Sequence, residues 1–201
     1  MTFWAHPQAQ LTTRPSIAHC LYRGNHARVH SVGQPMAIDD LLAPVGTRFS
    51  CKMCGTCCHQ DVYVTEGDLE RIEQSFPSLR TKVQWLRQNC GIPGIKAYSL
   101  LVNAGHGMQC IFLVDGRCSV HASKPLQCRL YPFFPVLVDT IRSFIADLGR
   151  LSSCEGLQGK SYVFSVDQQC MGLRSAGLEV DWAELVRIWE QHKSELSGSM
   201  Q

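Results

Sequence analysis

The sequence predicts an α+β fold: a small, irregular, cysteine-rich metal-binding domain of short antiparallel strands with several flanking helices. Three observations lead there. The stretch Cys51-Lys52-Met53-Cys54-Gly55-Thr56-Cys57-Cys58 places four thiols within eight consecutive residues. The apolar runs that follow it are short and broken by glycine and proline, as in a domain of short strands. Two stretches, residues 66–76 and the segment after Asp181, instead repeat apolar residues at helical spacing.

At 201 residues and 45% hydrophobic content, the chain has enough apolar material for one substantial core. The expected layout is one domain over residues 36–201, with the motif region at 49–156 and a helical C-terminal part at 165–197. Eleven cysteines leave two physical alternatives, a disulfide framework or metal thiolates. A chain this long does not need stapling and the count is odd, so thiolates in a reducing compartment are favoured and the protein reads as cytoplasmic. No charged leader precedes an apolar run at the N-terminus. The longest apolar stretch, around residues 131–138, is interrupted by Pro132 and Pro135, which leaves no transmembrane helix. Residues 1–35 carry Arg14, Arg23 and Arg28 and no acid, a formal +3 that leaves −1 for the remainder. The body therefore offers no compositional case for nucleic acid. The tail reads as disordered, or as an extension upstream of a true start at Met36; its composition also fits a weakly amphipathic organelle-targeting segment.

Residues 39–42 suggest a helical turn, ended by Pro44 and Gly46. In the cluster, cysteines separated by two residues allow two sulfurs to converge on one metal. Gly55 permits positive φ, and small Thr56 leaves room for amides near the sulfurs. Cys57 and Cys58, adjacent in sequence, either sit in a turn or serve different metals. Val62–Val64 reads as a strand. Thr65 is an N-cap with Glu66 and Asp68 in the first turn, and Leu69, Ile72 and Phe76 define an amphipathic helix ended by Pro77. A second helix is expected over Leu79–Asn89, with Cys90 after it as a buried or free thiol.

Tyr98–Val102 and Cys110–Val114 read as strands around the loop Asn103–Gly107, which lacks the residues of a phosphate-binding loop. Asp115-Gly116 turns the chain into Arg117–His121. A two-residue loop would set Leu113 opposite Cys118 and put Cys110 and Cys118 on opposite faces; a three-residue loop would put both on one face. A shared metal thus calls for the longer loop. Residues 122–127 should form a tight turn or short helix around Pro125 that delivers Cys128. Arg129 either offsets thiolate charge or makes a surface salt bridge, and the aromatic, proline-stiffened run Tyr131–Pro135 can cover a metal site. Val136–Val138 and Ile141–Ile145 suggest paired strands. Cys154 is expected in a loop, with Gly156 permitting close backbone approach to a cluster. Asp181 caps a final helix whose Trp182, Leu185, Val186 and Trp189 face the core.

Taken together, Cys51-x2-Cys54-x2-Cys57-Cys58, Cys110-Ile-Phe-Leu, Cys118-Ser-Val-His, Lys124-Pro125-x2-Cys128-Arg129-Leu-Tyr-Pro132 and Cys154-x-Gly156 resemble the YkgJ-like CxxCxxCC cysteine-cluster family. The flagellin lysine N-methylases are similar through the same pattern. The family's zinc- or iron-chelating domain implies eight metal ligands: Cys51, Cys54, Cys57, Cys58, Cys110, Cys118, Cys128 and Cys154. Cys20, Cys90 and Cys170 fall outside that set. Lys124 departs from the family, which usually has Arg before this proline.

Eight thiolates suit two four-coordinate sites or a multinuclear centre, holding zinc ions or an iron–sulfur cluster. His59 and His121 read as ordinary histidines, each chemically able to replace a cysteine. The expected function is that of a metal-binding protein whose partners are metal ions. The alternative is an iron–sulfur oxidoreductase or an enzyme related to protein (lysine) methyltransferases, though no glycine-rich strand–turn–helix site for S-adenosylmethionine is found. A disulfide-rich interaction domain is the third class. If Met36 is the initiator, the intact mass of natively expressed protein will lack residues 1–35; a mass that includes them rules this out.

Overall fold

The computed structural model describes residues 41–60, 62–79, 87–88, 98–99, 101–103, 108–145, 147–174 and 176–198. The tail, Met36, the start of the turn at 39–42, Cys20, Cys90, residues 104–107 and most of the helix expected at Leu79–Asn89 lie outside them. In chain order the first elements are β1 (Arg48–Phe49), β2 (Tyr63–Val64), α1 (Glu66–Glu73), β3 (Arg87–Gln88), β4 (Tyr98–Ser99), β5 (Leu101–Asn103), β6 (Met108–Cys110), β7 (Leu113–Val114) and β8 (Arg117–Cys118). They continue with α2 (Leu126–Leu130), β9 (Phe133–Leu137), α3 (Val138–Ile141), β10 (Ser153–Glu155), β11 (Ser161–Val166), β12 (Leu178–Glu179) and α4 (Trp182–Gly198). The fold is α+β, with short strands paired antiparallel in the orders β10-β11-β9, β2-β4-β3, β5-β6, β7-β8 and β1-β12.

Strand β11 is the hydrophobic axis. Tyr162, Phe164 and Val166 on one face pack with Phe133 and with Leu185, Val186 and Ile188 of α4. Val163 on the other face packs with Leu42, Val138 and Leu151. A strand covered on both sides carries a continuous apolar run, and alternation does not reveal it. Pro135 lacks a ladder donor but is tolerated because β9 is an edge of this sheet. The Trp182 ring closes the layer, 5.2 Å from Phe133 and 4.6 Å from Phe164 between centroids.

The two amphipathic helices start as their sequences require. The Asp68 amide donates to Thr65 Oγ1 at 3.1 Å and the Thr65 amide donates to Asp68 Oδ2 at 3.2 Å, a reciprocal cap. The Glu184 amide donates to Asp181 Oδ1 at 2.9 Å. Three expectations are corrected. Val138–Ile141 and Arg142–Phe144 are short helical turns, because β9 pairs with β11 across five positions and leaves no partner for a local hairpin. Arg87–Gln88 is a strand paired with β4, so the second helix does not extend to Asn89; cross-strand pairing overrides a weak helical pattern. Within the part expected to be helical, residues 165–166 end strand β11 and 178–179 are a strand, so only a 3₁₀ turn at Met171–Arg174 precedes the long helix from Trp182.

An ionic network ties α1 to α4. Fully buried Asp68 accepts from the Leu126 amide at 2.9 Å and from Arg71 Nη2 at 2.7 Å. Arg71 also donates to both Glu195 oxygens, at 2.8 and 3.0 Å. Burial pushes the Glu195 carboxyl up, but hydrogen bonds from Arg71, Thr65 and Gln191 together outweigh it and hold its pKa low. A depressed carboxylate contributes stability that is complete above the unfolded pKa and disappears as pH falls through the folded value. Glu195→Gln should therefore cost about 1–3 kcal/mol at neutral pH. The gap to wild type, read from urea unfolding, should close as pH falls below about 4.

Candidate metal centre

The cysteine loop follows directly from β1. Met53 and Gly55 take left-handed backbone, φ 51° and 75°, which folds the loop back on itself. Thr56–His59 form a 3₁₀ turn, closed by the Cys58 amide donating to the Gly55 carbonyl at 2.8 Å. Cys57 and Cys58 are therefore in a turn, and both face one cavity. A Cβ at Gly55 would lie 2.9 Å from Leu113 Cδ1 and 3.0 Å from the Gly116 carbonyl oxygen. The loop can seat against the β7–β8 hairpin only because that side chain is missing.

The hairpin has the two-residue loop, with Leu113 opposite Cys118 and positive φ at both Asp115 and Gly116. Cys110 and Cys118 nevertheless line the same cavity. Alternation along one continuous strand does not apply, because a turn at Ile111-Phe112 separates β6 from β7 and re-aims Cys110. The requirement for a three-residue loop is thereby corrected.

The cavity holds about 60 Å³ and is lined by Cys51, Cys54, Cys57, Cys58, Cys110, Cys118, Cys128 and Cys170. Lys124, His121, Phe112 and Tyr131 complete much of its wall. On this measure it has room for a few water-sized atoms. All nine cysteines among the described residues are free thiols. Cys58 lies within hydrogen-bonding reach of Cys110, Cys118 and Cys57, and these contacts drive its pKa far up. The same hydrogen bonds pull Cys118 down to about 6 and Cys57 down to about 7, and lower Cys110, in each case against burial. Lys124 adds to the lowering of Cys57 and Cys118. Burial pushes Cys128 well up, reinforced by the charges of Cys57, Cys110 and Cys118.

Backbone amides also point at sulfur. The Met53 amide donates to Cys51 Sγ and the Phe112 amide to Cys110 Sγ, each at 3.5 Å; Val120 does the same for Cys118. Such donors stabilise thiolate charge and orient ligands. This donor chemistry fits zinc or iron: soft sulfurs, amides aimed at them, two lysines, and a largely apolar wall. Among the described residues no three His, Cys, Asp or Glu side chains already stand in chelating geometry, so metal binding requires the donors to close in and release protons.

Seven of the eight cysteines expected as ligands thus face one cavity, and Cys154 does not. Cys154 sits in β10, where its thiol donates to the Glu155 carbonyl at 3.8 Å. Gly156 accommodates Tyr162 and Val186 of the core, whose atoms would lie 2.6 and 3.0 Å from a Cβ there. Cys170, expected outside the set, lines the cavity. Nothing in its local sequence resembles a metal motif; its loop is held there by the Ser50 amide, which donates to the Gly172 carbonyl at 3.1 Å, next to the pairing of β1 with distant β12. Arg129 makes a surface ion pair with Glu184 at 3.3 Å, and the cations in the cavity wall are Lys52 and Lys124.

These features define a cysteine-cluster domain of the metal-chelating kind. The chain belongs to the CxxCxxCC family, a putative zinc- or iron-chelating domain, whose model matches residues 50–171. No curated protein and no solved structure matches the chain. Among the described residues no helix is long and apolar enough to cross a membrane.

Gly55→Ala should cost about 1–3 kcal/mol, from left-handed strain plus contact with the hairpin. Gly46→Ala, at φ 77° with nothing within 4 Å of its Cβ, carries only the strain and should cost less. Urea unfolding of the two variants checks the order.

Proposed function

We propose that this chain is a metal-binding module whose cavity thiols hold zinc or an iron–sulfur cluster, with a structural, sensing or metal-handling role. The observation that carries the reading is the contact of Cys58 with Cys57, Cys110 and Cys118 in one apolar cavity. Those four, with Cys128 beside them, would be the interior donors; Cys51 and Cys54 stand nearer solvent. Cys154, implied as an eighth ligand by family resemblance, is left out of the proposed set because its thiol donates to a backbone carbonyl.

When bound, a zinc ion would supply a fixed tetrahedral crosslink, whereas an iron–sulfur cluster would supply one-electron chemistry. The chain's own residues do the rest. Lys124 and the amides of Phe112 and Val120 favour the thiolate state of Cys57, Cys110 and Cys118. Phe112 and Val120, both buried, and Tyr131 exclude water from the interior donors. Tyr131 is held by donating its hydroxyl to Asp167 at 2.8 Å.

The test is metal and acid-labile sulfide content on protein purified without oxygen. Metal bound to thiolate is expected; a folded, metal-free chain that takes up neither zinc nor iron overturns the reading. Iron with matching sulfide would select the cluster, and zinc without sulfide a structural role. Cys57→Ser and Cys110→Ser should lower metal content and thermal stability together, whereas Cys154→Ser should leave both near wild type. Wild-type stoichiometry in both cavity variants would remove those cysteines from the ligand set.

A further inference from the structure

The eight cavity cysteines fall into two groups. Cys57, Cys58, Cys110 and Cys118 touch one another through Cys58, with half-buried Cys128 beside them. Cys51 and Cys54 are exposed, and the His121 ring is half-buried with its Nε2 3.4 Å from Cys51 Sγ. Zinc bonds of about 2.3 Å to sulfur and about 2.05 Å to nitrogen, at a tetrahedral angle, give a sulfur–nitrogen edge of about 3.6 Å. The His121–Cys51 pair already stands close to that edge.

Cys170, which lines the same cavity, joins this outer group on two grounds. Its sulfur receives a backbone amide from two residues ahead, Gly172, the arrangement seen at Cys51, Cys110 and Cys118. Cys154 has the opposite polarity, its thiol donating to a carbonyl. The loop carrying Cys170 is also docked onto the residues that launch Cys51. The Ser50 amide donates to the Gly172 carbonyl at 3.1 Å, and a Cβ at Gly172 would lie 2.5 Å from the Phe49 ring.

We infer that the mouth of the cavity is a second metal site, with Cys51, Cys54, Cys170 and His121 as its donors and an exchangeable divalent cation of the zinc class as its ligand. Three sulfurs and one imidazole form a recognised zinc donor set. Cys51 and Cys54 are exposed while Cys170 is buried, whereas none of the five interior cysteines is exposed, so the outer ion is the one that exchanges. The inference rests on the reading of the cavity as a metal centre and adds the partition of that centre into a fixed and a labile site.

The probe is Co(II) alone, added without oxygen to the metal-free full chain, with sulfur-to-cobalt absorption followed while a chelator strips the ion. Wild type should release Co(II) in two phases. His121→Ala and Cys170→Ser should each lose the fast phase and one bound equivalent while keeping the slow phase; retention of the slow phase also reports that the interior is intact. His121→Cys should restore the fast phase, and Cys154→Ser should keep both. Two wild-type phases in both His121→Ala and Cys170→Ser overturn the inference, as does joint loss of both phases, which would make mouth and interior one centre. A wild-type chain that binds no Co(II) is a distinct failure, that of the metal reading itself.

Discussion

The constraint on which the rest of the structure depends is the crowding of thiols that compete for charge inside an apolar wall. The single S–H of Cys58 faces three neighbouring sulfurs, Cys57, Cys110 and Cys118, and favours the ionised form of the one to which it donates. Two unit charges about 4 Å apart at an effective dielectric near 20 repel by on the order of 4 kcal/mol. Ionising Cys57, Cys110 and Cys118 together would create several such pairs, which Lys52, Lys124 and a few amides only partly offset. A divalent or polynuclear cation is the species whose charge matches the need, and Lys124 and the aimed amides complement it.

Holding the thiols there demands that distant segments meet. The cysteine loop is seated against the β7–β8 hairpin through the space left by Gly55. The hairpin's tight turn is possible because Asp115 and Gly116 both accept positive φ. On the other side, β12 pairs with β1, and Gly172 and Gly177 allow the C-terminal loop to press on Phe49 and Ser50. Each contact is a backbone approach that a side chain would block, so the glycines fix the separation between the cysteine-bearing segments.

Beneath the site, α4 acts as a base plate. It buries Leu185, Val186 and Ile188 against β11, and it reaches α1 through Glu195 and Arg71. Asp68 links that network to α2, whose Cys128 lines the cavity, by accepting the Leu126 amide. Lys193 bridges Glu190 and the Tyr162 hydroxyl, each at 2.8 Å, pinning the helix to the sheet on its outer side. Damage to this polar scaffold would therefore reach the cysteines through packing rather than through direct contact.

The local signals in the chain were sufficient for the cysteine loop, the caps at Thr65 and Asp181, and the α+β character, while the turn at Cys57-Cys58 was one of two alternatives they left open. Spacing, capping chemistry and glycine tolerance all act within a few residues. Strand β11 was hidden because burial on both faces erases alternation, and the helical turns at 138–144 because a short apolar run fits either period. The side on which Cys110 projects was settled by a turn at Ile111-Phe112 that interrupts the strand. Which cysteines share a cavity was also decided in three dimensions: Cys170 is held by the Ser50–Gly172 hydrogen bond, next to the pairing of β1 with β12 across more than a hundred residues, and Cys154 turns away because β10 belongs to the β11 sheet. Sequence carries the chemistry of each donor, but only the fold decides which donors meet.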